Sequence, residues 1–240
     1  MILVAGGDSF IWGSELADET HTNPSRNTYT ALLANDLQAE YICTARPGNS
    51  NDAIARMTML ECNKHSGQIS VVVAWTFMPR FEFRFTYPIK SPISPWASIN
   101  PHQYNKPEVK EFSDYFFKHV GTDIEYQQYN SLRAALILQT YFVNKQIPYM
   151  FTLADNNFCN DYSALSADCK ILWDQIDWSH WFFFVPASEA WLTTSPRGFY
   201  QWAVENKYDI GPNGHPLEQA HTVAAMLMKD KFNELVIKNN

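Results

Sequence analysis

The 240-residue chain contains 46% hydrophobic and 15% aromatic residues, enough for a sizeable core and too many for a disordered protein. Its formal net charge of −7 at pH 7 disfavours partners that are themselves anionic, such as nucleic acids and acidic membrane surfaces. At this length, one α/β domain covering residues 1–240 is the simplest organisation.

The cysteines and the amino terminus bear on the compartment. The four cysteines stand singly, without the spacing of a zinc site or a redox motif, so we expect reduced thiols. The sequence begins directly with an apolar run that leaves no room for a signal peptide, and no apolar run reaches the roughly 20 residues of a membrane span. We expect synthesis in the cytoplasm and no membrane partner; the final location, cytoplasm or virion, is left open.

The first part of the chain alternates strands and helices. Short apolar runs at residues 1–5, 41–45 and 70–75 predict three buried strands. A helix capped by Ser25, with apolar positions up to Leu37, and a helix at about 51–61 separate them. This β-α-β-α-β order predicts a parallel sheet with right-handed crossovers.

Residues 77–120 interrupt the alternation. Six prolines lie in this stretch among Phe, Tyr and Trp residues, a density that prevents long helices and central strands. Two interpretations stay open: an ordered flap over the edge of the sheet, and a structural arm that packs on the body or on another subunit.

Alternation resumes after this insertion. The remaining predicted elements are a helix at 123–144, a strand at 147–153, a helix at 161–173, a strand or buried aromatic cluster at 181–185, and helices at 198–206 and 216–235. Together these elements predict an α/β fold with a central parallel sheet of about five strands.

Candidate catalytic residues follow the predicted strands at their carboxyl ends, where ligands bind in open α/β sheets. Asp8 and Ser9 follow the first strand, Gly48 the second and Thr76 the third. Ester hydrolysis needs a nucleophile and N–H donors for the developing oxyanion, and His215, before the last helix, suits a base at neutral pH. Each of these residues could also be an ordinary turn, cap or surface residue. Because Ser9, Gly48 and Thr76 all follow the carboxyl ends of predicted parallel strands, a shared catalytic site is favoured.

Four blocks in this order resemble the SGNH (GDSL-type) hydrolases: Gly7-Asp8-Ser9-Phe10, Pro47-Gly48-Asn49-Ser50-Asn51, Val73-Ala74-Trp75-Thr76 and Gly214-His215-Pro216. The resemblance spans essentially the whole chain, and the second block looks like the variant of many bacterial and tailed-phage members. It implies a three-layer α/β/α sandwich, flavodoxin-like in outline, of esterases, lipases and carbohydrate deacetylases. It would make Ser9 the nucleophile, His215 its base, and the Ser9 and Gly48 N–H groups two arms of the oxyanion hole.

The third block departs from the family pattern. Thr76 stands where the family has an asparagine that completes the oxyanion hole, so either the Thr76 hydroxyl or Asn51 would supply this donor. Asp8 and Arg80 are further candidates for contact with the substrate. Arg80 and Glu82 flank the third block and either bind a polar group of the substrate or form an ion pair at the rim.

The fourth block departs as well. Pro212 stands where the family places an aspartate three residues before the histidine. Asp209, six residues before His215, is the predicted replacement, and Asn213 and Asp155 are the alternatives.

We therefore predict a serine esterase or deacetylase that acts on carboxylic esters, with short acyl groups on a carbohydrate preferred over lipids. The alternative is a binding or assembly protein that keeps the fold without catalysis, such as a virion or surface component, favoured by the missing aspartate and the proline-rich insertion. The sequence has no phosphate-binding loop, dinucleotide fingerprint or metal-ligand spacing, so no cofactor or metal is expected. The expected partner is the ester substrate; oligomerisation is left open.

Overall fold

A computed structural model of the chain describes residues 1–86, 95–101, 107–158, 162–184 and 197–237. Its strands are β1 (Ile2–Gly6), β2 (Glu40–Cys43), β3 (Ile69–Trp75), β4 (Phe81–Arg84), β5 (Trp96–Ile99) and β6 (Tyr149–Leu153). Four of them form a parallel sheet in the order β2-β1-β3-β6, and β4 and β5 form a separate antiparallel pair. All seven residues of β3 are buried, as expected for a central strand with helices on both faces.

The helices lie on both faces of the parallel sheet. They are α1 (Ser9–Trp12), α2 (Tyr29–Asp36), α3 (Asn51–Cys62), α4 (Pro107–Phe116), α5 (Ile124–Lys145), α6 (Ala167–Trp173), α7 (Phe199–Glu205) and α8 (Glu218–Ile237). Side chains of α2, α7 and α8 share one core with Leu3 and Val72, while those of α3, α5 and α6 share the other with Val4 and Val71. Successive strand residues thus enter opposite cores, which follows from the two-residue period of a strand. The predicted α/β/α class is confirmed.

The parallel sheet has four strands where about five were predicted. At the fifth position, Trp181 forms a single parallel bridge with Phe151, and the Phe182 N–H donates to the Phe151 carbonyl at 2.8 Å. The Trp181 ring packs edge-on against the Phe151 ring, with centroids 5.3 Å apart, and is buried. The described part of the aromatic run, 181–184, therefore contributes buried side chains to the core and only one bridge to the sheet. Residue 185 lies outside the described residues.

Two predicted helix starts are wrong. The cap of α2 is Thr28, whose hydroxyl accepts from the Ala31 N–H, whereas the Ser25 hydroxyl donates to Asp18 at 2.5 Å. The helix predicted at 161–173 begins at Ala167, and residue 161 lies outside the described residues. Local capping chemistry at both sites admits more than one polar candidate, so neighbouring contacts decide which one is used.

The insertion at 77–120 contains β4, β5, α4 and a π-helical turn, Phe117–Gly121. Its aromatic residues form a small separate core that includes Phe81 and Phe116. Arg56 of α3 makes a two-pronged ion pair with Glu82, at 2.8 and 2.6 Å, and its guanidinium lies 4.7 Å from the Trp96 ring centre. The β4–β5 pair therefore packs on α3 of the body. The single-domain organisation of residues 1–240 remains a prediction.

Within the described ranges, no helix has the length and apolar character that a bilayer span requires.

Candidate active site

A cavity of about 550 Å³ lies where β1, β2 and β3 end. It is lined by Ser9, Phe10, Ser14, Pro47, Gly48, Phe77, Arg80, Tyr200, Asn213, Gly214 and His215. In-register pairing aligns the strand ends, since Gly6 lies beside Val73 and Trp75 lies beside Leu153. The sheet therefore brings residues from distant parts of the chain to one edge.

Ser9 is the first residue of α1 and directly follows the turn after β1. Asp8 caps this helix, because its Oδ1 accepts the Phe10 N–H at 3.0 Å. The N–H groups in the first turn of a helix have no intrahelical acceptor, so the Ser9 N–H belongs to the donors left for other partners. Gly48 adopts a left-handed backbone (φ +81°) with open space on its Cβ side, which permits a close approach of its N–H to a ligand.

His215 is hydrogen-bonded to the carboxylate of Glu15. The distance from His215 Nδ1 to Glu15 Oε2 is 2.6 Å. Oε1 also accepts the Asn213 backbone N–H at 2.9 Å and the Asn213 side-chain amide at 3.1 Å, and the His215 N–H lies 3.3 Å from Oε2. Glu15 has a left-handed backbone (φ 72°), unusual for a residue with a Cβ and common at functional sites. The site therefore contains an ordered carboxylate–imidazole pair.

Burial alone would raise the pKa of Glu15. Hydrogen bonds from the Asn213 N–H and from the His215 ring and N–H outweigh burial, and the pKa of the carboxyl lies below its ordinary value of 4.5. Glu15 is thus a carboxylate at neutral pH. A carboxylate on Nδ1 keeps the proton on that nitrogen and leaves Nε2 of His215 as the acceptor.

The predicted partner of His215 is corrected. Asp209 is exposed, and its backbone carbonyl accepts the Leu217 N–H. Of the two alternatives, Asn213 donates to Glu15 and Asp155 Oδ2 accepts from Gln201 at 2.5 Å. The physical reason lies in the loop, which directs backbone N–H groups and His215 toward Glu15, 200 residues away in the sequence.

Sequence reasoning missed Glu15 because no local signal links it to His215. It lies six residues after Ser9 in a polar loop whose other acidic side chains have unrelated partners. Asp18 accepts the Ser25 hydroxyl and Glu19 accepts the Trp12 indole N–H. Only the folded chain distinguishes Glu15 from these neighbours.

Asn51 and Thr76 were predicted as oxyanion donors, and the structure uses their donors elsewhere. The Asn51 amide donates to the Thr76 carbonyl at 3.2 Å and to Ser131 Oγ at 3.0 Å, and its Oδ1 accepts the Thr76 N–H at 2.8 Å. The Thr76 hydroxyl donates to Asp8 Oδ2 at 2.5 Å. Both side chains are buried, and neither lines the cavity. Their contacts hold the start of α3 and the turn before α1 to the end of β3.

Arg80 is paired with the buried carboxylate of Asp8. Its Nη1 lies 3.1 Å from Asp8 Oδ2, 2.8 Å from Thr76 Oγ1 and 3.4 Å from the Asn49 carbonyl. The guanidinium carbon lies 4.5 Å from the centre of the Phe77 ring. Asp8 is fully buried, and a buried carboxylate requires such a counter-charge. Asp8 thus caps α1 from a buried position, while Arg80, its ion-pair partner, lines the cavity.

Within the described residues, no group of three or more His, Cys, Asp or Glu side chains is arranged to hold a metal ion.

Comparison of the sequence with protein-family models and with curated proteins finds no match. Among solved structures, a carbohydrate esterase family 2 enzyme with a carbohydrate-binding domain from Corynascus thermopiles (Myceliophthora fergusii) is similar over 98% of this chain and 66% of its own, at 11% identity and a TM-score of 0.48. The psychrotrophic esterase EstA from a Pseudoalteromonas species is similar over 100% and 99% of the two chains, at 11% identity and a TM-score of 0.47.

A third similar structure is a protein described as a putative lipolytic protein of the G-D-S-L family, from Desulfitobacterium hafniense. It is similar over 95% of this chain and 98% of its own, at 10% identity and a TM-score of 0.42. This chain spans just under two thirds of the length of the Corynascus protein. At these identities and TM-scores, the activity must be argued from the site itself.

Proposed function

We propose that the protein is a serine ester hydrolase in which Ser9 is the nucleophile, His215 the general base and Glu15 the carboxylate that orients His215. The observation that carries the proposal is the 2.6 Å hydrogen bond between Glu15 and His215 Nδ1, beside a cavity that His215 and Ser9 both line. A hydroxyl, an imidazole and a half-buried carboxylate in this relation are the parts of a Ser-His-acid triad, which is recognised by geometry and roles and not by order in the chain.

The reaction would run in two halves. Nε2 of His215 takes the proton of Ser9 Oγ as this oxygen attacks the ester carbonyl carbon, and Glu15 stabilises the imidazolium that forms. The Ser9 and Gly48 N–H groups hold the oxyanion. His215 then gives its proton to the leaving alcohol, and an acyl-Ser9 ester remains. Water attacks this ester with His215 again as base, and the carboxylic acid leaves as Ser9 regains its proton.

The polar and aromatic lining favours a short acyl group on a polar alcohol such as a sugar. In the described part of the cavity wall there is no leucine, isoleucine, valine or methionine, so a long acyl chain would find little aliphatic surface. Phe77 and Tyr200 offer ring faces, and Asn213 offers amide groups. A volume of about 550 Å³ suits a ligand of monosaccharide-ester size.

One of the two arguments for a non-catalytic binding or assembly protein no longer holds. A binding or assembly role was favoured because no aspartate stands before His215, and Glu15 supplies a carboxylate on that ring instead. This alternative becomes the outcome of a failed activity test.

Labelling and turnover test the proposal together. We expect a fluorophosphonate to label the wild-type protein, and p-nitrophenyl acetate to release p-nitrophenol faster with the wild type than with Ser9→Ala. Ser14→Ala is the matched control, since Ser14 is a second serine on the same cavity and the label must survive its loss. A label that persists in Ser9→Ala, or wild-type turnover no faster than that of Ser9→Ala, would reject Ser9 as the nucleophile.

A further inference from the structure

Arg80 is the cationic side chain of the cavity wall, and its charge is paired with the buried carboxylate of Asp8 behind the wall. Of the eleven lining residues, within the described part of the chain, Arg80 alone is charged when His215 is neutral. The carboxylates of Asp8 and Glu15 lie behind Arg80 and His215, so the wall and the groups behind it have no net positive charge. A preference for an anionic ligand must therefore come from hydrogen-bond donors of Arg80 that Asp8 does not use.

Arg80 is also held in place before any ligand arrives. Three acceptors, Asp8 Oδ2, Thr76 Oγ1 and the Asn49 carbonyl, take hydrogen bonds from Nη1, and the guanidinium lies over the Phe77 ring. Among the described residues, Nε and Nη2 have no acceptor. These two nitrogens form one edge of the planar guanidinium, and that edge matches the two oxygens of a carboxylate.

A purely structural role as counter-ion of Asp8 explains the contacts of Nη1 of Arg80, but it gives no role to Nε and Nη2. The Arg80 side chain keeps 18% of its surface exposed, while the Asp8 side chain is completely buried. Arg80 is one of the residues that line the cavity.

We propose that the cavity selects esters whose non-reacting part carries a carboxylate, and that Arg80 binds this group through Nε and Nη2. The proposal rests on the esterase function and deepens it. The carboxylate could belong to the alcohol, as in an acetylated hexuronic acid, or to the acyl group, as in the half-ester of a dicarboxylic acid. Both sources present the same group to Arg80.

Two matched ester pairs distinguish the sources. Acetylated methyl glucuronoside is compared with acetylated methyl glucoside, and mono-p-nitrophenyl succinate with p-nitrophenyl butyrate, each by kcat/KM. We expect the anionic member of at least one pair to be preferred about 10- to 100-fold, the range of a charge-assisted hydrogen-bonded pair. Arg80→Gln should bring that ratio to about one. Arg133→Gln, which removes an arginine paired with Asp52 outside the cavity, should leave the ratio unchanged.

The measured quantity is the ratio of kcat/KM between the anionic and the neutral member of a pair. Arg80 is also the ion-pair partner of Asp8, which caps the helix that begins at Ser9, so its loss lowers the turnover of both members. If Arg80→Gln does not fold, Arg80→Lys keeps the charge beside Asp8, removes the planar edge, and should still reduce the ratio. A wild-type ratio near one for both pairs, or a ratio that survives the Arg80 substitutions, overturns the proposal.

Failure of the esterase function has a different signature. If the wild type hydrolyses none of the four esters, the esterase proposal fails, and Arg80 is tested by calorimetric binding of all four esters to the Ser9→Ala protein. Tighter binding of the anionic member of either pair that disappears with Arg80→Gln would support the carboxylate site alone. Equal binding within both pairs, or binding of none of the four, would reject it.

Discussion

Glu15→Gln is the sharpest test of the triad. In the wild type, Oε1 of Glu15 accepts hydrogen bonds from Asn213, and Oε2 accepts the His215 Nδ1 proton at 2.6 Å. A glutamine has one oxygen and one NH2 group for these two positions. If its oxygen takes the Asn213 bonds, its NH2 faces Nδ1 and the imidazole proton moves to Nε2. His215 then cannot accept the proton of Ser9.

The expected loss in kcat is large. In serine proteases, replacing the triad aspartate by asparagine lowers kcat about 10⁴-fold through the same change of tautomer. We expect Glu15→Gln to lower kcat about 10³- to 10⁴-fold, equivalent to about 4–5 kcal/mol of transition-state stabilisation. The fold should be nearly unaffected, because the glutamine oxygen can still accept from Asn213.

Steady-state hydrolysis of p-nitrophenyl acetate measures the effect, with Glu19→Gln as control. Glu19 lies in the same loop, and its carboxylate accepts the Trp12 indole N–H at 2.8 Å, a bond that glutamine can also accept. A second arm combines Glu15→Gln with His215→Ala. If Glu15 acts through His215, its substitution should cost almost nothing further in that background, since members of a catalytic unit are not additive.

Two results would refute this reasoning. One is a Glu15→Gln protein that keeps more than a tenth of the wild-type kcat. The other is an equal loss from Glu15→Gln with and without His215. Loss of activity on Asp209→Asn, which we expect to be silent because Asp209 is exposed, would favour the carboxylate predicted from sequence.

The remaining predictions concern the surroundings of the triad. Gly211→Ala places a Cβ 2.7 Å from the Glu15 carboxyl carbon, so Glu15 must shift. We expect kcat to fall about 10²-fold with little loss of stability. Gly67→Ala is the control, because a Cβ at Gly67 meets open space, and it should change neither kcat nor stability. Equal kcat for both variants would contradict this. Burial lowers the pKa of His221 from 6.5 to about 3, and its Nδ1 accepts the Tyr29 N–H at 3.2 Å. As the pH is lowered, the imidazole of His221 takes up a proton in the unfolded chain at a higher pH than in the folded chain. The contribution of neutral His221 to the free energy of unfolding is therefore complete above pH 6.5 and falls toward pH 3. Between about pH 6.5 and 5 the free energy of unfolding should fall by about 2 kcal/mol. Urea unfolding should show a smaller loss between these pH values for His221→Gln; an identical loss would reject this origin.

Regular elements with a local signal could be predicted from the sequence. Helix α3, Asn51–Cys62, is predicted to within one residue because its apolar positions recur every three or four residues. The strand β3 is a continuous β-branched run that admits few alternatives. Of the two interpretations of the aromatic run at 181–185, the described residues 181–184 fit the buried cluster, since the Trp181 ring is buried against Phe151 and only one bridge to that strand forms.

The sequence by itself determined the α/β class, the edge at which Ser9 and Gly48 emerge, and the candidacy of His215, because strand periodicity and turn residues act over a few positions. Tertiary structure decided the roles of the polar side chains. Asn51 and Thr76 are occupied by hydrogen bonds to Ser131 and Asp8, and Glu15 meets His215 across 200 residues. A side-chain hydrogen bond depends on position to within a few tenths of an ångström, and such positions exist only once the whole chain is packed.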